Sequence, residues 1–108
     1  MLQKHNRLHG AKRLNRPIAF QSMHMRLLKG ENHLDSLRFG FRVGKKFDTR
    51  AVVRNRIRRV MSQAVQENLS HVQPGYDYLF MPRSGVVYSK DIPWAQEVVE
   101  LLKKSKSL

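Results

Sequence analysis

The chain has 108 residues, enough for one domain around a single modest core. It carries 21 Lys and Arg against 8 Asp and Glu, a formal net charge of +13, and no cysteine. That balance calls for a polyanionic partner, and the missing thiols exclude disulfides and thiolate metal sites.

The charge is unevenly spread. From Met1 to Gly30 the basic residues Lys4, Arg7, Lys12, Arg13, Arg16, Arg26 and Lys29 meet no acid. From Arg38 to Arg59 nine basic residues face Asp48 alone, and between Val60 and Glu100 the acids outnumber the bases. Residues 1–17 form a basic N-terminal segment with weak periodicity, read as a tail or short irregular helix. From Ile18 to Leu28 the alternation predicts one strand, with Ala19, Met23, Met25 and Leu27 on the core side and Phe20, Ser22, His24 and Arg26 on the other. "KGENHLDS" (Lys29 to Ser36) is turn-rich and is expected to link two antiparallel strands. "LRFGFRV" then sets Leu37, Phe39, Phe41 and Val43 against Arg38, Gly40 and Arg42, and the glycine between two arginines leaves room for a close approach to the backbone.

After a basic loop, Asp48 or Thr49 is placed to cap a helix that runs to about Leu69. Val53, Ile57, Val60, Met61, Ala64 and Val65 recur at helical spacing and form its buried stripe. "QPGYD" is a turn, and "YDYLFMP" is apolar on both sides, as a central strand would be. A last helix from about Pro93 to Lys104 carries Trp94, Val98, Val99, Leu101 and Leu102, and residues 105–108 are a tail. The pattern is that of a small two-layer α/β domain spanning residues 1–108. No apolar run reaches membrane-spanning length, and the N-terminus lacks the apolar stretch of a signal peptide.

The helix "AVVRNRIRRV" (Ala51 to Val60) carries the functional signal. At about 100° per residue, Arg54, Arg58, Asn55, Arg59 and Arg56 fan across the whole face opposite the apolar stripe, with Asn55 near its middle. A solvated face mixes signs, whereas this one has no acid three or four residues away, and like charges at that spacing repel. Guanidinium forks can clamp phosphate oxygens, and the asparagine can reach a base edge, a ribose hydroxyl or a hydrated metal ion. Phe20, His24 and Arg26, and then Arg38 and Arg42, put an aromatic and basic groups on strand faces, an arrangement suited to single strands.

The stretch "RFGFRVGKKF…AVVRNRIRR" from Arg38 to Arg59, followed by "PGYDYLFMPR" from Pro74 to Arg83, resembles the protein subunit of bacterial ribonuclease P. Arg54-Asn55-Arg56 stands where that family has its signature. The resemblance implies a mixed sheet of about four strands with helices packed on it. It also implies a left-handed strand–helix–strand crossover of the ribosomal protein S5 domain 2-like kind, against the usual rule. It further implies a cytoplasmic ribonucleoprotein enzyme in which the RNA subunit, with magnesium, removes the 5′ leader of precursor tRNA. The polypeptide itself would bind the catalytic RNA and the leader and would supply no catalytic residue. By this resemblance Lys45, Lys46, Arg50, Arg54, Asn55, Arg56, Arg58 and Arg59 face catalytic RNA, with Asn55 in reach of hydrated magnesium. Phe20, His24, Arg26, Arg38 and Arg42 are candidates for the leader site. No aromatic precedes Phe20 in "HNRLHGAKRLNRP", where the family has aromatic residues that help line its cleft.

Other readings fit less well. His5 and His9 stand four apart but lack an acid or a third ligand, and a protein nuclease needs carboxylates to hold its metal. A ribosomal or other structured-RNA-binding protein would share the charge and fold class, without needing the compact Arg-Asn-Arg group after Lys45-Lys46. The arginine arc is too wide for a helix reading DNA by one edge, and no helix precedes it in helix-turn-helix order.

Overall fold

The computed structural model describes residues 6–8 and 14–108. The histidine pair His5 and His9, and most of the basic N-terminal segment, lie outside the described residues. Four strands, β1 (Asn15–Gln21), β2 (Met25–Glu31), β3 (Arg38–Phe41) and β4 (Tyr76–Pro82), form one mixed sheet in the order β1-β2-β4-β3. Two helices, α1 (Ala51–Glu67) and α2 (Trp94–Lys104), complete the described α/β fold, with a 3-10 turn at Leu69–His71.

The expected single strand from Ile18 to Leu28 is a hairpin instead. Ser22 N–H donates to Met25 O at 2.9 Å and closes a turn between β1 and β2. Phe20 pairs with Leu27 and Gln21 with Arg26. The turn reverses the side-chain phase, so Met23 is exposed and only Met25 and Leu27 are buried. Neither Gly nor Pro marks the turn. Ser22 takes their place, with its hydroxyl accepting Met25 N–H at 3.2 Å.

"KGENHLDS" does link two strands of opposite direction, as expected, but they are not neighbours. Lys29, Gly30 and Glu31 belong to β2, and the chain then crosses to β3 on the far side of β4. β4 sits between them, antiparallel to β2 and parallel to β3. Its apolar composition matches that central position.

Met25, Leu27, Phe39, Tyr78 and Phe80 face the helices, where Val53, Ile57, Met61, Ala64 and Val65 of α1 and Trp94, Val98, Leu101 and Leu102 of α2 close the core. Phe39 stacks on Tyr78 at 5.0 Å between centroids and Phe41 on Phe80 at 5.9 Å. Burial pushes the Tyr78 phenol up to about 12, and its hydroxyl donates to Gln73 O at 2.8 Å. Val60, expected in the stripe of α1, is 36% exposed.

The closing residues are packed and not a loose tail. Ser105 and Ser107 are buried, Gln73 N–H donates to Ser107 O, and Lys29 Nζ donates to Ser105 O. On the sheet face away from the helices, a Cβ on Gly40 would stand 3.1 Å from Leu79 Cδ1 and 3.3 Å from Leu8 Cδ2. The close approach expected at Gly40 is made by the chain's own Leu8. Arg7 bridges in parallel to Phe39, and Asn6 Nδ2 donates to Leu37 O, which fixes residues 6–8 along the edge of β3.

Candidate nucleic-acid interface

The outer face of α1 presents its arginines in two roles. Arg50 is engaged before the helix begins: its guanidinium donates twice to Asp48, at 3.0 and 2.8 Å, and its backbone N–H donates to the same carboxylate. These bonds pull the Asp48 carboxyl down to about 2, with the Arg50 side-chain bonds as the main cause. Asp48 and Thr49 do not cap the helix as expected. Arg50 occupies the N-cap position without a side-chain bond, because Asp48 is spent on Arg50. Arg54 donates to the carbonyls of Asp48 and Thr49 at 3.0 and 2.8 Å. Arg58 donates to Val43 O at 2.6 Å and to Asn55 Oδ1 at 3.0 Å.

Arg54 and Arg58 are thereby half-buried and tied to the backbone leading into the helix. Arg56, Arg59, Lys45 and Lys46 are exposed, and among the described residues they have no hydrogen-bond or ion-pair partner. Asn55 is exposed as well, with its amide oxygen held by Arg58. That leaves the Asn55 NH2 group outward as a donor, and one lone pair of the oxygen free.

The five residues proposed from sequence as one aromatic and basic surface are divided. Residues paired across a ladder point to the same side, so Phe20 shares the helix-covered face with Leu27 while Arg26 points the opposite way. Phe20 is half-buried against the core and cannot join Arg26 on one face. His24 lies in the hairpin turn with its Nδ1 2.6 Å from Glu97 Oε2. Arg38 makes a bidentate pair with Asp77, at 2.8 Å for both bonds, and the Asp77 hydrogen bond raises the Arg38 pKa. Arg26 pairs with Met81, and Arg42, just past the Phe41–Phe80 pair, lies level with Met81. Arg26 and Arg42 therefore flank Met81 on the face away from the helices, and both are exposed.

A groove of about 520 Å³ runs between α1 and β3. Asn55, Arg58, Arg59 and Gln63 form one wall, Arg7 and Leu8 the other, and the half-buried Phe41, backed by the core residue Phe39, the floor; among the described residues no acid lines it. Sequence reasoning missed Leu8, Ser62 and Gln63 here. Ser62 and Gln63 could have been found, because they continue the Asn55–Arg59 face by one helical turn. Leu8 gave no such signal.

Ser22, His24 and Glu97 invite comparison with a nucleophile–base–acid set, but both Ser22 Oγ and His24 bond to the carboxylate, so the imidazole does not activate the hydroxyl. Burial alone would push the Glu97 carboxyl up. The bonds from Ser22, from His24 N–H and from the His24 ring outweigh it and hold the carboxyl below its ordinary value. Among the described residues no group of three or more His, Cys, Asp or Glu could hold a metal ion, so these side chains do not fit a protein-held magnesium cage. No described helix is long and apolar enough to cross a membrane.

The sequence profile of the Ribonuclease P family matches residues 2–106. The ribonuclease P protein component of Pelotomaculum thermopropionicum is 34% identical over 76 residues, covering 70% of this chain and 67% of that one. The component from Carboxydothermus hydrogenoformans is 40% identical over 68 residues, covering 63% and 58%. For Coprothermobacter proteolyticus the figures are 44% over 59 residues, covering 55% and 48%, so the matched stretch spans about half to two thirds of the length of these relatives. In fold, the chain superposes on the Staphylococcus aureus RNase P protein with a TM-score of 0.73 at 22% identity, covering 84% of this chain and 83% of that one. The Thermotoga maritima RNase P protein gives 0.72 at 22% identity, covering 82% and 84%. With the profile match running almost end to end and the same fold in both solved proteins, this chain belongs to the ribonuclease P protein family.

Proposed function

We propose that this chain is the protein subunit of a ribonuclease P ribonucleoprotein. In this reading it binds a catalytic RNA along α1 and its preceding loop, and holds the 5′ leader of precursor tRNA while the RNA, in the cytoplasm, makes the cut. The observation that carries it is the acid-free groove joining the arginine–asparagine face of α1 to an aromatic floor on β3. A basic wall for phosphates beside a stacking surface is what a single strand requires.

Within the site, Arg56, Arg59, Lys45 and Lys46 contact phosphates. Arg54 and Arg58 brace the helix entry and add to the local positive field, Arg50 braces it through its pair with Asp48, and Arg58 orients Asn55. Arg42 and Arg26 form a separate basic pair on the opposite face of the sheet. Magnesium belongs to the RNA in this scheme. Asn55 alone among these side chains is placed to accept a bond from a metal-bound water.

The test is cleavage of precursor tRNA by a bacterial-type catalytic RNA at low magnesium, with and without the protein. Enhancement of cleavage is expected. Equal cleavage in both arms, alongside ordinary binding to unrelated structured RNA, would assign the chain to a non-catalytic structural role.

A further inference from the structure

On the opposite flank of α1 lies a second groove, of about 370 Å³, between α1, the loop after β4 and the first turn of α2. Arg56, Val60, Tyr88, Lys90, Trp94 and Gln96 line it, and no acid does among the described residues. Arg56 and Lys90 are exposed and, among the described residues, unpaired, and the Arg50 guanidinium, itself paired with Asp48, lies 5.9 Å over the Tyr88 ring.

The start of α2 favours an anion on the same side. Its N-cap, Pro93, has no side chain able to cap, and the backbone N–H groups of Ala95 and Gln96, both in the groove wall, find no acceptor among the described residues. Glu97, the only acid of the first turn, is turned away into its bonds with Ser22 and His24. Asp91, just ahead of the helix, lines the neighbouring cleft with His24.

A further observation points to an absent ligand. Trp94 is 5% exposed, and its indole N–H is the one buried side-chain polar atom without a hydrogen-bond partner among the described residues. A buried donor left without an acceptor is costly, and an entering oxygen would satisfy it. Val60 explains the chemistry of the remaining wall: it is exposed because it borders this groove rather than the core.

We propose that this groove is a second RNA seat. It takes a phosphodiester between Arg56, Lys90 and the α2 N-terminus, with the sugar against Val60 and Tyr88. Helix α1 is then gripped by nucleic acid on both flanks. The inference rests on the ribonuclease P reading and adds to it a site on the α2 side. A free phosphate would use the cations and leave the apolar wall empty, so the ligand is a nucleic-acid strand. That strand comes either from the catalytic RNA or from precursor tRNA.

Trp94 is the sole tryptophan and a built-in reporter. The full chain is titrated with a bacterial-type catalytic RNA alone, and then with precursor tRNA added, while its emission is followed. A change in the first arm assigns the strand to the catalytic RNA, and a change only in the second assigns it to the tRNA. Lys90→Gln should reduce that change, weaken binding roughly 3–10-fold and lower the salt-dependence slope by about one. Arg59→Ala, on the other flank, should weaken binding and keep the emission change. RNA that binds normally with Trp94 emission unmoved in both arms, and a wild-type slope for Lys90→Gln, would overturn the second seat and leave the ribonuclease P reading standing. No binding and no enhancement of cleavage by the wild-type chain would overturn both.

Discussion

Asn55 and Arg58 form one unit: the guanidinium spans from Val43 O to Asn55 Oδ1 and dictates which way the amide faces. Arg56→Ala and Arg59→Ala should each lower the salt-dependence slope of RNA binding by about one, since each frees one phosphate. Arg58→Ala should weaken binding with the slope unchanged, because it releases Asn55 and not a counterion. A loss of one unit there would put the Arg58 guanidinium on a phosphate after all. Binding titrations across a range of salt separate the two roles. Residue types and their angular spread were legible in the sequence, but the division of labour among the arginines was not. It depends on carbonyls of the Val43–Thr49 loop that no periodicity locates.

Glu97 was open to a closer reading. It falls three residues after Trp94 and one before Val98, on the buried stripe of α2, and an acid in such a stripe needs donors. Glu97→Ala leaves Ser22 and two His24 donors without their acceptor and should destabilise the fold by about 2–4 kcal/mol, read from the urea midpoint. Because folding lowers the carboxyl pKa, its contribution is present above the ordinary carboxylate range and is lost as pH falls through the lowered value. The stability gap between wild type and Glu97→Gln should therefore close on acidification.

At the scale of elements, helix positions and the central strand follow from apolar spacing, because one face of each must meet the core. The β1–β2 hairpin does not. Phe20 packs in phase with Leu27 only if the chain reverses between them, and the signal was the shift from an even-numbered to an odd-numbered apolar series. Reading Phe20 as part of an outward face absorbed that shift and hid the turn. Pairing within the hairpin is tight at Gly30, where an added Cβ would lie 2.7 Å from Asn15 O. Gly30→Ala should cost about 1–3 kcal/mol by pushing β1 away from β2. Gly44→Ala, with nothing within 4 Å of its Cβ, should leave thermal unfolding nearly unchanged. A Gly30→Ala protein as stable as wild type would mean that β1 yields without loss.

For the molecule as a whole, the formal charge of +13 comes from two stretches, the first thirty residues and the segment from Arg38 to Arg59 that ends on α1, with most acids in the second half of the chain. Self-repulsion of this kind weakens the free protein and is screened by salt. The melting temperature of the free chain should rise with added salt over the range in which RNA affinity falls, and calorimetry beside a binding series would reveal the opposed trends. A flat melting temperature would mean that repulsion across α1 is already neutralised by its internal bonds.

The strand order carries a consequence for biosynthesis. β2 and β3 are not neighbours in the sheet; only β4, the last strand to be made, pairs with both. While the ribosome is still adding residues 68–75, the complete arginine helix is already translated and the sheet has no centre. The nascent chain thus contains its nucleic-acid-seeking element before the strand that completes its scaffold is made. The sheet can close only once Tyr76–Pro82 is available to lie between β2 and β3.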